Sequence, residues 1–148
     1  MTKLQWYIKK TTEKKYSPRN EVFAGTYNGF EPLKISARLW NNRYGEESVD
    51  DLRNFNLKLY FDTDEDQVLL NYCNVIINEK EQIPLTITSK YGIVALGSDI
   101  FISGAANNGI EEENKENYLT IDLTFDAPED VRLKEQDIKN IYFEIIKK

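Results

Sequence analysis

Leu33-Lys34-Ile35-Ser36-Ala37-Arg38-Leu39 decides the fold, because its odd positions are apolar and its even positions are polar or charged. Successive side chains of a β-strand point to opposite faces, so this period of two places one face on a core and the other in solvent. The same alternation recurs in residues 55–61, 119–125 and 141–145. Strands with one buried and one solvated face are typical of antiparallel sheets.

Shorter segments complete the pattern. Apolar runs predict further strands at 4–8, 22–26, 72–77, 84–88, 93–96 and 100–103. Turn-forming residues separate them at 28–29, 97–99, 107–109 and 127–130. Short helices are expected only at 63–72 and 134–139, so an α/β class is disfavoured. Many short strands with turns between them predict an all-β fold, an antiparallel two-sheet β-sandwich of jelly-roll or immunoglobulin-like type.

Composition limits the chemistry. The 148 residues fit a single domain, and 41% hydrophobic residues can build its core. With one cysteine and no histidine, the chain has neither a disulfide nor a zinc framework. The acidic run 62–66 resembles a calcium loop, but Gln67 and Cys73 stand where that loop requires glycine and glutamate. We therefore expect no metal, no cofactor and no catalytic site, and interpret the chain as non-enzymatic.

The charge is divided unevenly along the chain. Residues 1–20 carry six Lys or Arg and one Glu, a net charge of +5, whereas the remainder carries 13 Lys or Arg and 24 acids, a net charge of −11. Residues 9–20 are expected to form a basic arm or loop, and residues 105–117 an acidic loop. An acidic body repels nucleic acid. The basic segment instead complements another acidic protein or a neighbouring copy, through Lys9, Lys10, Lys14, Lys15 and Arg19.

Residues 40–45, Trp-Asn-Asn-Arg-Tyr-Gly, directly follow the predicted strand at 33–39. Aromatic and Arg side chains are enriched among the residues that dominate protein interfaces. Trp40, Asn42, Arg43 and Tyr44 are therefore candidate partner-binding residues, or a platform for a sugar. The alternative is that Trp40 ends the strand in the core and residues 41–45 form a turn.

Three segments, 39–45, 57–62 and 66–70, together resemble small β-rich virion proteins of tailed, crAss-like bacteriophages. The resemblance implies an auxiliary or decorating capsid protein, or a connector or tail component. Its partners would be other virion proteins, such as the major capsid protein, or copies of itself. Without a secretion signal or an apolar run of membrane-spanning length, the expected location is the virion, after assembly in the host cytoplasm.

Two other functional classes remain open. One is a non-catalytic carbohydrate- or surface-binding module that uses residues 40–45 as its platform. The other is a cytoplasmic adaptor or inhibitor whose acidic body masks a basic surface of an enzyme. Neither class requires nucleic acid or a membrane as its partner.

Overall fold

The computed structural model describes residues 1–23, 33–62, 65–88, 90–126 and 140–148. Eleven strands lie in these residues: β1 (Leu4–Lys10), β2 (Ser17–Pro18), β3 (Glu21–Phe23), β4 (Leu33–Asn41), β5 (Phe55–Phe61), β6 (Cys73–Ile77), β7 (Glu81–Ile83), β8 (Leu85–Ile87), β9 (Gly92–Val94), β10 (Tyr118–Phe125) and β11 (Asn140–Lys147). Sheet A has the order β2-β1-β4-β10-β6-β7, and sheet B the order β3-β11-β5-β9-β8. All of their pairings are antiparallel, which confirms the predicted all-β, two-sheet sandwich.

The alternating residues face each other between the two sheets, as predicted. In sheet A, β4 and β10 pair with Leu39 opposite Leu119 and Ile35 opposite Leu123, and all four side chains are buried. Aromatic contacts join the sheets: the ring centroids of Phe61 and Phe125 are 5.9 Å apart, and those of Trp6 and Phe143 are 5.5 Å apart. Each large apolar side chain buried in this way contributes about 1.5–3 kcal/mol.

The structure lacks one of the predicted strands and contains two that were not predicted. The predicted strand 100–103 is wrong, because the structure has only a single bridge there, between Ile102 and Leu52. Two strands that alternation missed, β2 and β7, are two or three residues long and lie at opposite edges of sheet A. An edge strand pairs with a neighbour on one side only, so it does not require a continuous apolar pattern. A proline such as Pro18 is also tolerated at such an edge.

A 3-10 helix at Glu65–Tyr72 lies within the helix expected at 63–72. Leu69 and Leu70 are both 1% exposed and join the core at this end of the sandwich. The expected helix at 134–139 and the turns at 28–29 and 127–130 lie outside the described residues. No helix in the described ranges is long and apolar enough to cross a membrane.

Candidate functional site

Two long loops meet at one end of the sandwich. One loop, 42–54, links β4 to β5, and the other, 95–117, links β9 to β10. The backbone N–H and C=O of Leu52 pair with those of Ile102 at 2.8 and 3.0 Å, and the Val49 N–H donates to the Gly104 carbonyl at 2.8 Å. We call this region, together with residues 1–3 and the β6–β7 turn at 78–80, the loop end.

Buried asparagines tie the loop end to sheet A. The Asn41 Nδ2 donates to the Asp50 carbonyl at 2.8 Å, while its Oδ1 accepts the Lys3 N–H at 2.9 Å. The next residue, Asn42, donates from Nδ2 to the carbonyls of Glu47 and Gly104 at 2.7 and 3.0 Å. Asn41 is 0% and Asn42 2% exposed. These amides satisfy backbone groups that the loops leave without strand partners, which is why polar side chains can be buried here.

Trp40 lies beneath the same loops, on the outer face of sheet A. It is 0% exposed, but it does not belong to the cluster between the sheets. The Tyr118 ring lies 4.7 Å from it between centroids, and the Arg43 guanidinium lies 4.4 Å from its ring. Trp40 is therefore buried near the end of β4 and residues 42–44 form a bend and turn, as the alternative interpretation expected, although its ring lies outside the cluster between the sheets.

A half-buried ion pair fastens the loop 95–117 to the sheet. Arg38 Nη1 donates to Glu111 Oε2, and the Arg43 Nη2 lies 4.0 Å from Glu111 Oε1. The Arg38 guanidinium is sandwiched by aromatic rings, 4.6 Å from Tyr16 and 5.1 Å from Tyr118. Burial alone would lower the pKa of Arg38, but the hydrogen bond to Glu111 raises it overall. Arg38 is therefore a fixed positive charge, and Glu111 is its anchor.

Most exposed large hydrophobic side chains of the described residues lie at the loop end. Five such side chains are more than about a third exposed, and only Ile76 lies elsewhere, in β6. Tyr44 is 62% exposed and Ile110 45% exposed, and the two belong to loops that touch each other. The Arg43 Nη2 donates to the Gly109 carbonyl at 3.0 Å, which places Ile110 beside residues 43–44. The other two are Met1 and Phe101.

The loop end also carries an excess of acidic side chains. In the described part of the loop end, nine acids are exposed, against four Lys or Arg. The acids are Glu46, Glu47, Asp50, Asp51, Glu79, Asp99, Glu112, Glu113 and Glu116, and the cations are Lys3, Arg53, Lys80 and Lys115. Two of the acids are paired locally, Asp50 with the N-terminal ammonium and Asp51 with Arg53. The loop end therefore combines exposed apolar side chains with a net negative charge.

A polar cleft of about 470 Å³ opens beside the loop end, between the β6–β7 turn and residues 111–115. Its walls carry three acids and three bases, so it has no net charge to attract an ion: Arg38, Glu79, Lys80, Glu111, Glu112 and Lys115. The Tyr118 ring in this cleft already contacts Trp40 and Arg38. The one aromatic ring in the described lining of the cleft is thus already in contact with two neighbours.

The basic segment 9–20 folds back on sheet A, so it is a loop and not an extended arm. Lys9 and Lys10 end β1, and residues 17–18 return as β2. Arg19 is held within the domain, because its Nη2 donates to Glu13 and to the Ile8 carbonyl. Lys14 and Lys15 are exposed in the turn. This turn lies at the Leu33 end of β4, opposite the loop end, because Lys10 pairs with Ile35.

The predicted site residues therefore divide into three groups by exposure. Tyr44, Lys14 and Lys15 are exposed, and Lys9, Lys10, Arg19 and Arg43 are half-buried. Trp40 and Asn42 are buried, so neither side chain is exposed for direct contact with a partner or a sugar in this structure. The prediction missed Ile110 and Phe101. For Ile110 a signal existed, since it is an isolated large apolar residue within a polar, acidic loop.

The acidic run at 62–66 has a structural role where it is described. Asp62 accepts a hydrogen bond from the Tyr142 hydroxyl at 2.7 Å and one from the Asn140 N–H at 3.0 Å. It therefore fastens the start of β11 to the end of β5. Among the residues with described positions, no group of three or more Cys, Asp or Glu side chains is arranged to hold a metal ion.

No family model matches this chain, and neither a curated protein nor a solved structure is significantly similar to it.

Proposed function

We propose that the protein is a non-catalytic structural component of a virion, an auxiliary or decorating capsid protein or a connector or tail component, and that it binds other virion proteins through the loop end. One observation carries the proposal: the exposed Tyr44 and Ile110 stand together on loops held by buried asparagines. Monomeric proteins gather exposed apolar side chains mainly at interaction sites.

The hydrogen bonds beneath the surface strengthen this proposal. An interface must offset the entropy lost when its loops become ordered, and a loop that is already fixed avoids much of that cost. At the loop end the Tyr44 N–H donates to Asn107 Oδ1 at 3.2 Å, and the same oxygen accepts the Gly109 N–H at 2.9 Å. The backbone of Tyr44 is thus held in place, which supports the role of its exposed side chain as an aromatic anchor.

Co-sedimentation with purified capsids of the phage that encodes the chain tests the proposal. We expect the wild-type protein to pellet with the particles, and the variant Tyr44→Ala/Ile110→Ser to lose at least about tenfold in affinity, since each buried apolar anchor contributes about 1–2 kcal/mol. Ile76→Ser is the matched control, because Ile76 is 37% exposed but lies away from the loop end.

The outcomes distinguish the virion role from the role of the loop end. Failure of the folded wild-type protein to pellet with particles refutes the virion role. If it pellets and both variants bind equally well, the virion role stands but the loop end is not the binding surface. Circular dichroism of each variant shows whether it is folded before the particles are added.

A further inference from the structure

We propose that the loop end of one copy binds the basic corner of the next copy, so that the chain associates head to tail. The basic corner comprises Lys9, Lys10, Lys14, Lys15 and Lys34, which cluster where β1 ends and β4 begins. This inference deepens the proposed function and rests on it, since it makes a second copy of the chain one of the virion proteins that the loop end contacts.

The two surfaces carry opposite charges. The loop end has more than twice as many exposed acids as exposed Lys or Arg. At the basic corner, Lys14, Lys15 and Lys34 are exposed, and the one acid of the turn, Glu13, is already paired with Arg19. Complementary charge attracts and orients partners. The apolar side chains of Tyr44 and Ile110 supply the surface from which water is expelled on binding.

The two surfaces cannot neutralise each other within one molecule. They lie at opposite ends of β4, whose nine residues span about 26 Å at about 3.3 Å per residue. The Debye length at physiological salt is about 8 Å, so attraction over that distance is largely screened. Contact between copies brings the charges within a few ångströms. Different surfaces on each copy make the contact heterologous, which gives a ring or a linear chain.

A shallow groove shows where the acidic loop can dock. It has a volume of about 340 Å³, lies on the outer face of sheet A, and is lined by Lys9 and Lys34 together with Thr11, Ser36 and Asp122. The two ammonium groups suit a carboxylate, although Asp122 limits the net charge to that of one cation. The hydroxyls of Thr11 and Ser36 are already hydrogen-bonded within the domain, to the Lys34 carbonyl at 2.9 Å and the Tyr16 hydroxyl at 2.6 Å. Glu112 and Glu113 are the exposed acids that directly follow Ile110 and Glu111. We assign this groove, together with the exposed Lys14 and Lys15 of the turn that follows Thr11, to Glu112 and Glu113 of the neighbouring copy.

Charge reversal with mutual rescue tests the inference on the purified full chain. Sedimentation velocity at 20 mM NaCl should show oligomers of the wild-type protein, and 500 mM NaCl should weaken association at least tenfold, since exposed charges are screened. Lys14→Glu/Lys15→Glu and Glu112→Lys/Glu113→Lys should each remove self-association. An equimolar mixture of the two variants should restore it, because each then offers the surface that the other lacks.

Matched controls keep the test specific. Lys90→Glu/Lys147→Glu changes the net charge as much as Lys14→Glu/Lys15→Glu does, but at exposed positions outside the basic corner, and it should associate like the wild type. A monomeric wild-type protein at 20 mM NaCl overturns the inference, as does a mixture without rescue or a control that dissociates equally. These results leave the proposed function untouched, because co-sedimentation with particles tests that function separately.

Discussion

Asn41→Ala should lower the free energy of unfolding by about 2–3 kcal/mol, although the substitution removes no apolar contact of the main core. Asn41 is 0% exposed and joins three separate segments of the loop end. Without its side chain, the Lys3 N–H and the Asp50 carbonyl lose the bonds of 2.9 and 2.8 Å described above. The Ile102 carbonyl, at 3.4 Å from Nδ2, keeps its partner, the Leu52 N–H.

The magnitude follows from those two groups. Leaving a buried donor or acceptor without a partner costs about 1–3 kcal/mol, and partial access of water at this site favours about 1–1.5 kcal/mol for each of the two groups. The loss is a large fraction of the 5–15 kcal/mol that stabilises a typical domain. Urea unfolding should therefore show a lower midpoint with an unchanged slope. Hydrogen exchange of the Val49 and Leu52 amides, which join the two loops, should accelerate.

Two comparison variants isolate the hydrogen bonds. Asn74→Ala removes an exposed asparagine whose Oδ1 accepts a bond of 2.9 Å from the Gln82 side chain, and it should cost less than about 0.5 kcal/mol. Asn41→Asp keeps the size and the acceptor but places a carboxylate beside the Asp50 carbonyl, and it should cost at least as much as Asn41→Ala. A loss below about 0.5 kcal/mol for Asn41→Ala would refute the structural role assigned to this amide.

Three further predictions concern single side chains. Gly109→Ala should destabilise the protein by about 1–3 kcal/mol in urea, because Gly109 has a φ of +78° and an added Cβ would lie 2.0 Å from the Tyr44 ring. Burial raises the pKa of Cys73 to about 12, so the native thiol should react with iodoacetamide at pH 8 about a thousandfold more slowly than in urea, and equal rates would contradict this. Burial and then the hydrogen bond to Glu144 raise the pKa of Tyr60 to about 12. The folded state therefore holds this proton more tightly than the unfolded chain does. The free energy of unfolding should fall from pH 10 to 12, more steeply for the wild type than for Tyr60→Phe; parallel curves of stability against pH for the two proteins would refute this.

The strands that the sequence predicted best are those with four or more alternating residues, because alternation reports directly which face is buried. β4, β5, β10 and β11 all belong to this group. The loops were harder, since Asn41 and Asn42 look like turn residues when only their neighbours in the chain are considered. They are buried because residues about 60 positions later, such as Gly104, return to bond with them. Periodicity contains no information about such a partner.

Trp40 shows the same limit for the candidate site. Trp40 is an even residue of β4, so its side chain lies on the outer face of sheet A, but alternation alone did not predict what covers it there. The Tyr118 ring and the Arg43 guanidinium lie against the Trp40 ring, and the Arg38–Glu111 ion pair fastens the loop 95–117 to the sheet. Within residues 40–45, Tyr44 is the candidate site residue that remains exposed. Because the loop end is held by buried amides and one ion pair more than by apolar packing, substitutions such as Asn41→Ala should destabilise the loop end while leaving the packing between the two sheets intact.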